Sequence, residues 1–409
     1  MTDRRKYYPW VVMAACCFYA GAIIGVGTNC NGIFMQPVAD ALGVGRGDVA
    51  SYVTVMGIAA ALFAPISGRL IGCLDVRKLM TSCACIMALS YFGLSRVTHL
   101  WQFCAFGALI GVGVALGSFM VLTVIVNNWF IKRAGTVIGI VFSSSSVVGV
   151  FANPLLNRVI RTEGWRFAYE VMAVVMLCTL PVIWALIRMY PSQKNSMAWG
   201  EGEGETRESA QEASDAPRPF RELVRSRTFL LLLGMVAISS LVVNHTGHFQ
   251  GIATTVGFTA EMGALMISAA QAGEFTGKLV MGWLSDHIGV RRAVLTVVSV
   301  GGLALLGLLF IHALPAPLAL VCAYLYGPMT AVGTVGYSLI VKKLFGNRNY
   351  PIVYPYVSIT STVAFSVGFP AIGYVYDLTG SYAPTFLAAL AGLALAGLFL
   401  TLAMKGQEV

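Results

Sequence analysis

Glu274 and Lys278 lie four residues apart in an otherwise apolar stretch, and opposite charges at that spacing share one face of a helix. The stretch ends in a polar turn containing Asp286, Gly289, Arg291 and Arg292. Counting back from Asp286 at about 1.5 Å per helical residue sets Lys278 roughly 12 Å and Glu274 roughly 18 Å deep. Bilayer hydrocarbon is about 30 Å thick, so the two charges straddle its middle. A charge there costs about 2.5–3.5 kcal/mol and normally faces a partner or a cavity. The chemistry expected of the pair is mutual neutralisation when the site is empty; protonation of Glu274 then frees the ammonium of Lys278 for an anionic solute. Lys278 is not a phosphate-loop lysine, because Ala272 and Leu279 occupy positions that need glycine and a hydroxyl residue.

Other polar side chains in apolar stretches are candidates for the same cavity. His245 and His248, beside Asn244, share a helical face and are expected to donate hydrogen bonds to the solute; with no third ligand nearby, a metal site is not expected. Thr28, Asn29 and Asn31, and likewise Tyr324, Tyr326 and Tyr337, are expected to line it too. Ser143 to Ser146 and the many glycines suit close helix contacts. Glu170 is expected to pair with Arg166 at i,i−4. No Ser/His/Asp or HExxH arrangement occurs, so neither an enzyme nor a cofactor is expected.

The elements that must hold these residues follow from composition. The chain has 409 residues, 57% hydrophobic and 11% charged, with a mean hydropathy of +0.77, outside the range of soluble domains. Apolar segments of bilayer length fall at 8–36, 47–71, 77–96, 100–128, 134–158 and 166–190, then at 228–257, 261–285, 292–312, 316–341, 350–376 and 381–404. The expectation is an all-α membrane protein of twelve spans, with six in residues 1–190, a polar linker at 191–227 and six in residues 228–409. The net charge of +9 sits in short segments between spans, without the interleaved aromatics of a nucleic-acid surface, so no nucleic-acid partner is expected. One set of connections carries Arg4, Arg5, Lys6, Arg69, Arg77, Lys78, Lys132, Arg133, Arg291, Arg292, Lys342, Lys343, Arg348 and Lys405, while the other holds only Arg46, Arg96, Arg158, Arg161 and Arg166. That asymmetry orients both termini and the linker to the cytoplasm of a cell-membrane protein. The nine cysteines show no CxxC spacing and no disulfide framework.

The halves repeat. Gly68-Arg-Leu-Ile-Gly-Cys-Leu-Asp-Val-Arg77-Lys78 recurs as Gly282-Trp-Leu-Ser-Asp-His-Ile-Gly-Val-Arg291-Arg292, Phe130 before a basic turn recurs as Phe345, and Gly164 recurs as Gly380. A nearly constant separation implies a duplicated six-helix unit with a site between the copies at mid-membrane.

At these residues the chain resembles the major facilitator superfamily over its whole length. The family's loop motif, Gly-x-Leu-x-Asp-x-x-Gly-x-Arg-Arg, is nearly complete from Gly282 to Arg292. There Gly282 would allow close helix contact, and Asp286 would latch a gate state through backbone amides and arginine. In the first copy Gly72 stands in place of the acid, with Asp75 beside Arg77 expected to substitute. Tyr7-Tyr8-Pro9-Trp10, Asn31-Gly32-Ile33-Phe34 and Asn128-Trp129-Phe130-Ile131-Lys132-Arg133 look like the monocarboxylate and oxalate/formate branch. Monocarboxylate carriers place Asp-x-x-x-Arg in span eight, which reads Glu274-x-x-x-Lys278 here. The oxalate/formate type adds a lysine in span eleven, where this chain has Val357. The resemblance implies a secondary carrier of a small organic anion, working by alternating access as a monomer, with proton symport of a monocarboxylate as the leading expectation. Anion exchange, and export of lipophilic drugs on the same fold, are the alternatives.

Overall fold

The computed structural model describes residues 3–117, 119–131, 134–194, 196–200 and 225–405. The helices of the described residues group into twelve spans, and nine of these are long and apolar enough to cross a membrane. The remaining three spans are the helices Arg46–Cys73, Val76–Leu94 and Ala260–Ile288, namely spans two, three and eight. Span eight is less apolar because Glu261, Glu274, Lys278 and Asp286 lie along it.

Span ends carry recognisable signals. Span three starts where the Asp75 side chain accepts from the Arg77 amide, and span eight where Thr259 Oγ1 accepts from the Met262 amide. Span eight stops at Gly289, whose φ of 83° lies in a region that disfavours a β-carbon. Gly346, with φ 74° and ψ 166°, breaks the long helix Tyr337–Thr379 into the end of span ten and span eleven.

The pattern of helix neighbours repeats with a shift of six. In the first half, span two packs on span four (Leu100–Gly117), three on four and six (Trp165–Leu186), and one on five (Ala134–Glu163). In the second half, eight packs on ten, nine (Val290–Leu309) on ten and twelve (Ala383–Ala403), and seven on eleven. The halves meet through two pairs that also interchange under that shift, two with eleven and five with eight. These are two pseudo-symmetric six-helix bundles, the physical counterpart of the sequence repeat.

Three spans lose α-helical geometry near the middle. Span one passes from Asp3–Ala20 through a π segment Gly21–Val26 to a 3-10 turn Asn31–Phe34. Span seven passes from Arg227–Val242 into a 3-10 segment Val243–His248, and span ten has a π segment at Val332–Gly336. Such breaks inside membrane helices are tolerated where the freed groups meet a cavity or other protein.

The start of the linker departs from the flexibility its composition suggests. Trp199 donates its amide to the Trp129 carbonyl at 2.8 Å and accepts from the Ile131 amide at 3.0 Å, while its ring lies edge-on to Trp10. An aromatic anchor thus holds this stretch on the first bundle. Lys132, Arg133 and residues 201–224 lie outside the described residues.

Candidate transport site

Span eight places Gln271, Glu274 and Lys278 on one face, at relative positions 0, 3 and 7. Lys278 Nζ lies 2.7 Å from Glu274 Oε1, with the side chains 7% and 16% exposed, so the expected ion pair forms inside the protein. Each end of this face is tied to the other half. Lys278 Nζ also donates to Ser146 Oγ of span five at 3.3 Å, and Asn29 Nδ2 of span one donates to Gln271 Oε1 at 3.3 Å. Ser146, expected with its neighbours to serve close helix contact, also meets the buried amine. Its partner is 132 residues away in sequence, and no local spacing signals it.

A cavity of about 350 Å³ lies against this face, with Glu274 and Gln271 on its wall. The three irregular segments bring polar groups to the same wall: Thr28, Asn29 and Asn31 from span one, Asn244 and Thr246 from span seven, and Thr330 and Thr334 from span ten. Tyr337 is there as expected, its hydroxyl 2.7 Å from Ser239 Oγ and 3.0 Å from Ser240 Oγ. Phe365 and Phe369 supply an apolar side. Lys278 sits one ion pair behind the wall, screened from the cavity by Glu274. An acid at the wall with an amine behind it can exchange a proton with the cavity and then expose a positive charge.

Other expected lining residues lie elsewhere. His245 and His248 are 2% and 3% exposed and off the wall. His245 Nδ1 donates to the Val242 carbonyl at 2.8 Å and Nε2 lies 3.2 Å from Thr385 Oγ1; His248 Nε2 donates to the Phe369 carbonyl at 2.8 Å. A 3-10 segment has three residues per turn, so positions 245 and 248 eclipse each other on one edge. That edge faces spans eleven and twelve, and Asn244, Thr246 and Gly247 take the cavity side. Tyr324 is likewise off the wall: it is 38% exposed and donates to Thr276 Oγ1 at 3.0 Å. Tyr326, fully buried, donates to the Val242 carbonyl at 2.5 Å.

The residues expected to gate sit at the end of the bundle that carries the basic loops. Asp75 pairs with Arg77 at 2.5 Å, and the Arg77 guanidinium holds its carboxyl below the usual carboxylate range. Asp286 and Arg292 are exposed, Arg291 is half-buried, and Gly289 makes the turn between them. Gly282 has no heavy atom within 4 Å of where a β-carbon would stand, so its expected role in close helix contact is corrected. Glu170 is corrected too: it pairs with Arg96 at 2.9 Å, while Arg166 donates to the Val97 carbonyl at 3.1 Å.

At the opposite end lies a clasp that the sequence reading missed. Arg46 of span two reaches into the other half, donating through Nη1 to the Gly251 carbonyl at 3.2 Å, Thr255 Oγ1 at 3.3 Å and Tyr382 Oη at 3.1 Å. The Arg46 and Gly47 amides, at the N-terminus of span two, donate to the Asp377 carboxylate at 3.2 and 2.8 Å. Gln250 Nε2 donates to Asn157 Oδ1 at 3.1 Å, and Arg161 pairs with Glu261. The backbones of Gly32 and Gly247 meet so closely that a β-carbon on Gly32 would stand 2.4 Å from the Gly247 oxygen.

Two duplicated six-helix bundles of apolar spans around a polar cavity define a multi-pass membrane carrier. The sequence agrees: a family profile described as Major Facilitator Superfamily matches residues 17–326, and the chain belongs to that superfamily. It is a transporter, not an enzyme. Over 406 residues it is 24% identical to Monocarboxylate transporter 13 of Rattus norvegicus, covering 96% of this chain and 88% of that protein. It is 23% identical over 317 residues to Monocarboxylate transporter 12 of Mus musculus, covering 72% of this chain and 64% of that one. It is also 22% identical over 278 residues to the uncharacterized MFS-type transporter YcxA of Bacillus subtilis (strain 168), covering 64% of this chain and 62% of YcxA. Among solved structures, the nucleoside transporter NupG has the same fold, with a TM-score of 0.74 at 12% identity, covering 97% of this chain and 99% of NupG. A bacterial homolog of the human lysosomal transporter Spinster, inward-facing and unoccupied, aligns with a TM-score of 0.69 at 16% identity, covering 99% of this chain and 98% of that one.

Proposed function

We propose that the protein is a proton-coupled symporter of a small monocarboxylate. The observation that carries this reading is the buried Glu274–Lys278 pair, with its acid on the cavity wall and its amine behind. In the empty carrier the two charges cancel, which limits the cost of holding them away from water. A proton on Glu274 ends the ion pair, and the ammonium of Lys278 then attracts a carboxylate from the cavity. The loaded site holds one ammonium, one carboxylate and a neutral acid, the same net charge as the empty site. Both forms can therefore pass between openings without moving a bare charge through the bilayer. Relatives named monocarboxylate transporters support the substrate class. Among the described residues Lys278 is the one buried Lys or Arg, and one cation behind the cavity wall suits one carboxylate.

In this reading residues 1–190 and 228–409 rock as two units about the linker at 191–227, within one monomer of the cell membrane. The termini and linker face the cytoplasm. Asp286, Gly289, Arg291 and Arg292, with Asp75 and Arg77, form the cytoplasmic gate. The test is uptake of short radiolabelled carboxylates by purified protein in liposomes. Lys278→Ala abolishes saturable carboxylate uptake in this reading; uptake at the wild-type rate would remove it.

A further inference from the structure

The serine run of span five divides its work. Ser144 Oγ donates to the Cys17 carbonyl at 3.0 Å and Ser145 Oγ to the Phe142 carbonyl at 2.8 Å, both within the first half. Ser146 alone of these three touches the charge pair, accepting from Lys278 Nζ at 3.3 Å, and it is fully buried. One turn further along the same face, Gly149 gives Gln271 room, since a β-carbon there would stand 3.2 Å from Gln271 Cδ. Span five is thus shaped to receive the charged face of span eight.

We propose that Ser146 is a positioning residue for Lys278, supplied by the half that does not carry the charge pair. This inference rests on the carboxylate reading above. An ammonium on a flexible four-carbon stem has three donors to satisfy. Once Glu274 is protonated its grip weakens, and Ser146 Oγ remains as the fixed acceptor that holds the amine in place directly behind Glu274. The arriving carboxylate then meets a charge already in place and does not bear the cost of ordering it. Because the acceptor belongs to span five, the amine is fully held only while the two halves have the arrangement seen here. Substrate affinity is thereby tied to the state of the carrier.

The experiment is propanoate uptake in liposomes by wild type and by Ser146→Ala, Ser146→Cys, Ser146→Thr and Ser144→Ala. Ser146→Cys keeps the volume but offers a weak acceptor, so it serves if the alanine variant fails to fold. The expected result is a KM raised ~10-fold in Ser146→Ala and Ser146→Cys, the scale of one lost hydrogen bond to a charged group. Ser146→Thr stays near wild type, and Ser144→Ala keeps its KM. An unchanged KM in Ser146→Ala and Ser146→Cys overturns the proposal, and so does a fall in kcat alone, which leaves substrate binding as it was. Uptake that ignores Lys278→Ala overturns the carboxylate reading itself, and the role of Ser146 falls with it.

Discussion

The two ends of the carrier are built from different kinds of contact. At the end with Arg46, Gly251, Asp377 and Tyr382, polar side chains reach across from one half to the other. At the basic end, among the described residues, Asp75 acts locally: it caps its own helix and pairs with Arg77 two residues on, and Arg77 stacks over Trp184 of the same half. A bond within one half survives a rocking motion, whereas a bond between halves must break. Opening at the clasped end therefore breaks cross-half bonds that an occupant of the cavity must offset, and the charge pair lies on the same cross-half seam, through Ser146.

Four substitutions break or sharpen that contrast. Gly32→Ala puts a β-carbon 2.4 Å from the Gly247 oxygen, a backbone atom that cannot swing away. The clasped state loses about 1–3 kcal/mol, as in other overpacked sites, and distance measurements between labels at this end shift to longer separations. Arg46→Ala removes three cross-half bonds from a half-buried guanidinium and shifts the population about tenfold toward opening at this end, on the scale of one charge-assisted bond. Labels at the basic end of that variant move closer together.

The third substitution tests the local end. The Asp75 carboxyl is held below the ordinary range, first of all by its hydrogen bonds from Arg77. Its contribution to stability is therefore complete above the unfolded carboxylate value near pH 4 and disappears as pH falls through the lower folded value. Asp75→Ala costs about 1 kcal/mol at neutral pH, the usual worth of a helix cap, and flattens the acid limb of the melting curve. It leaves the label distances across the clasp unchanged. The smallest effect belongs to Arg161→Ala, whose pair with Glu261 joins the halves but is 52% and 58% exposed. Its effect on melting lies within about 0.5 kcal/mol, as for other surface pairs.

What could be seen in the sequence was whatever depends on near neighbours. Bilayer-length apolar runs gave the spans, the separation between Gly68 and Gly282 gave the duplication, and two charges one helical turn apart in apolar surroundings gave the pair. The failures share a physical cause: a side chain's direction depends on local helix geometry and on partners far away in the chain. His245 and His248 were assigned to the cavity by α-helical spacing, and the 3-10 turn rotates them onto spans eleven and twelve. Glu170 had a suitable cation at i−4, yet Arg96 from the loop between spans three and four reaches it. Arg46 looked like one more topology charge, because Gly251, Asp377 and Tyr382 are more than 200 residues distant. A separation of 132 residues from Lys278 hid Ser146 in the same way.

The most direct test of the central claim is accumulation of a short carboxylate driven by an inward proton gradient in liposomes carrying Glu274→Gln. The account predicts that this variant still exchanges labelled for unlabelled carboxylate, because Lys278 remains to bind it, but that accumulation against a concentration gradient is lost. Gradient-driven accumulation equal to wild type would contradict the assignment of Glu274 as the proton-coupling acid.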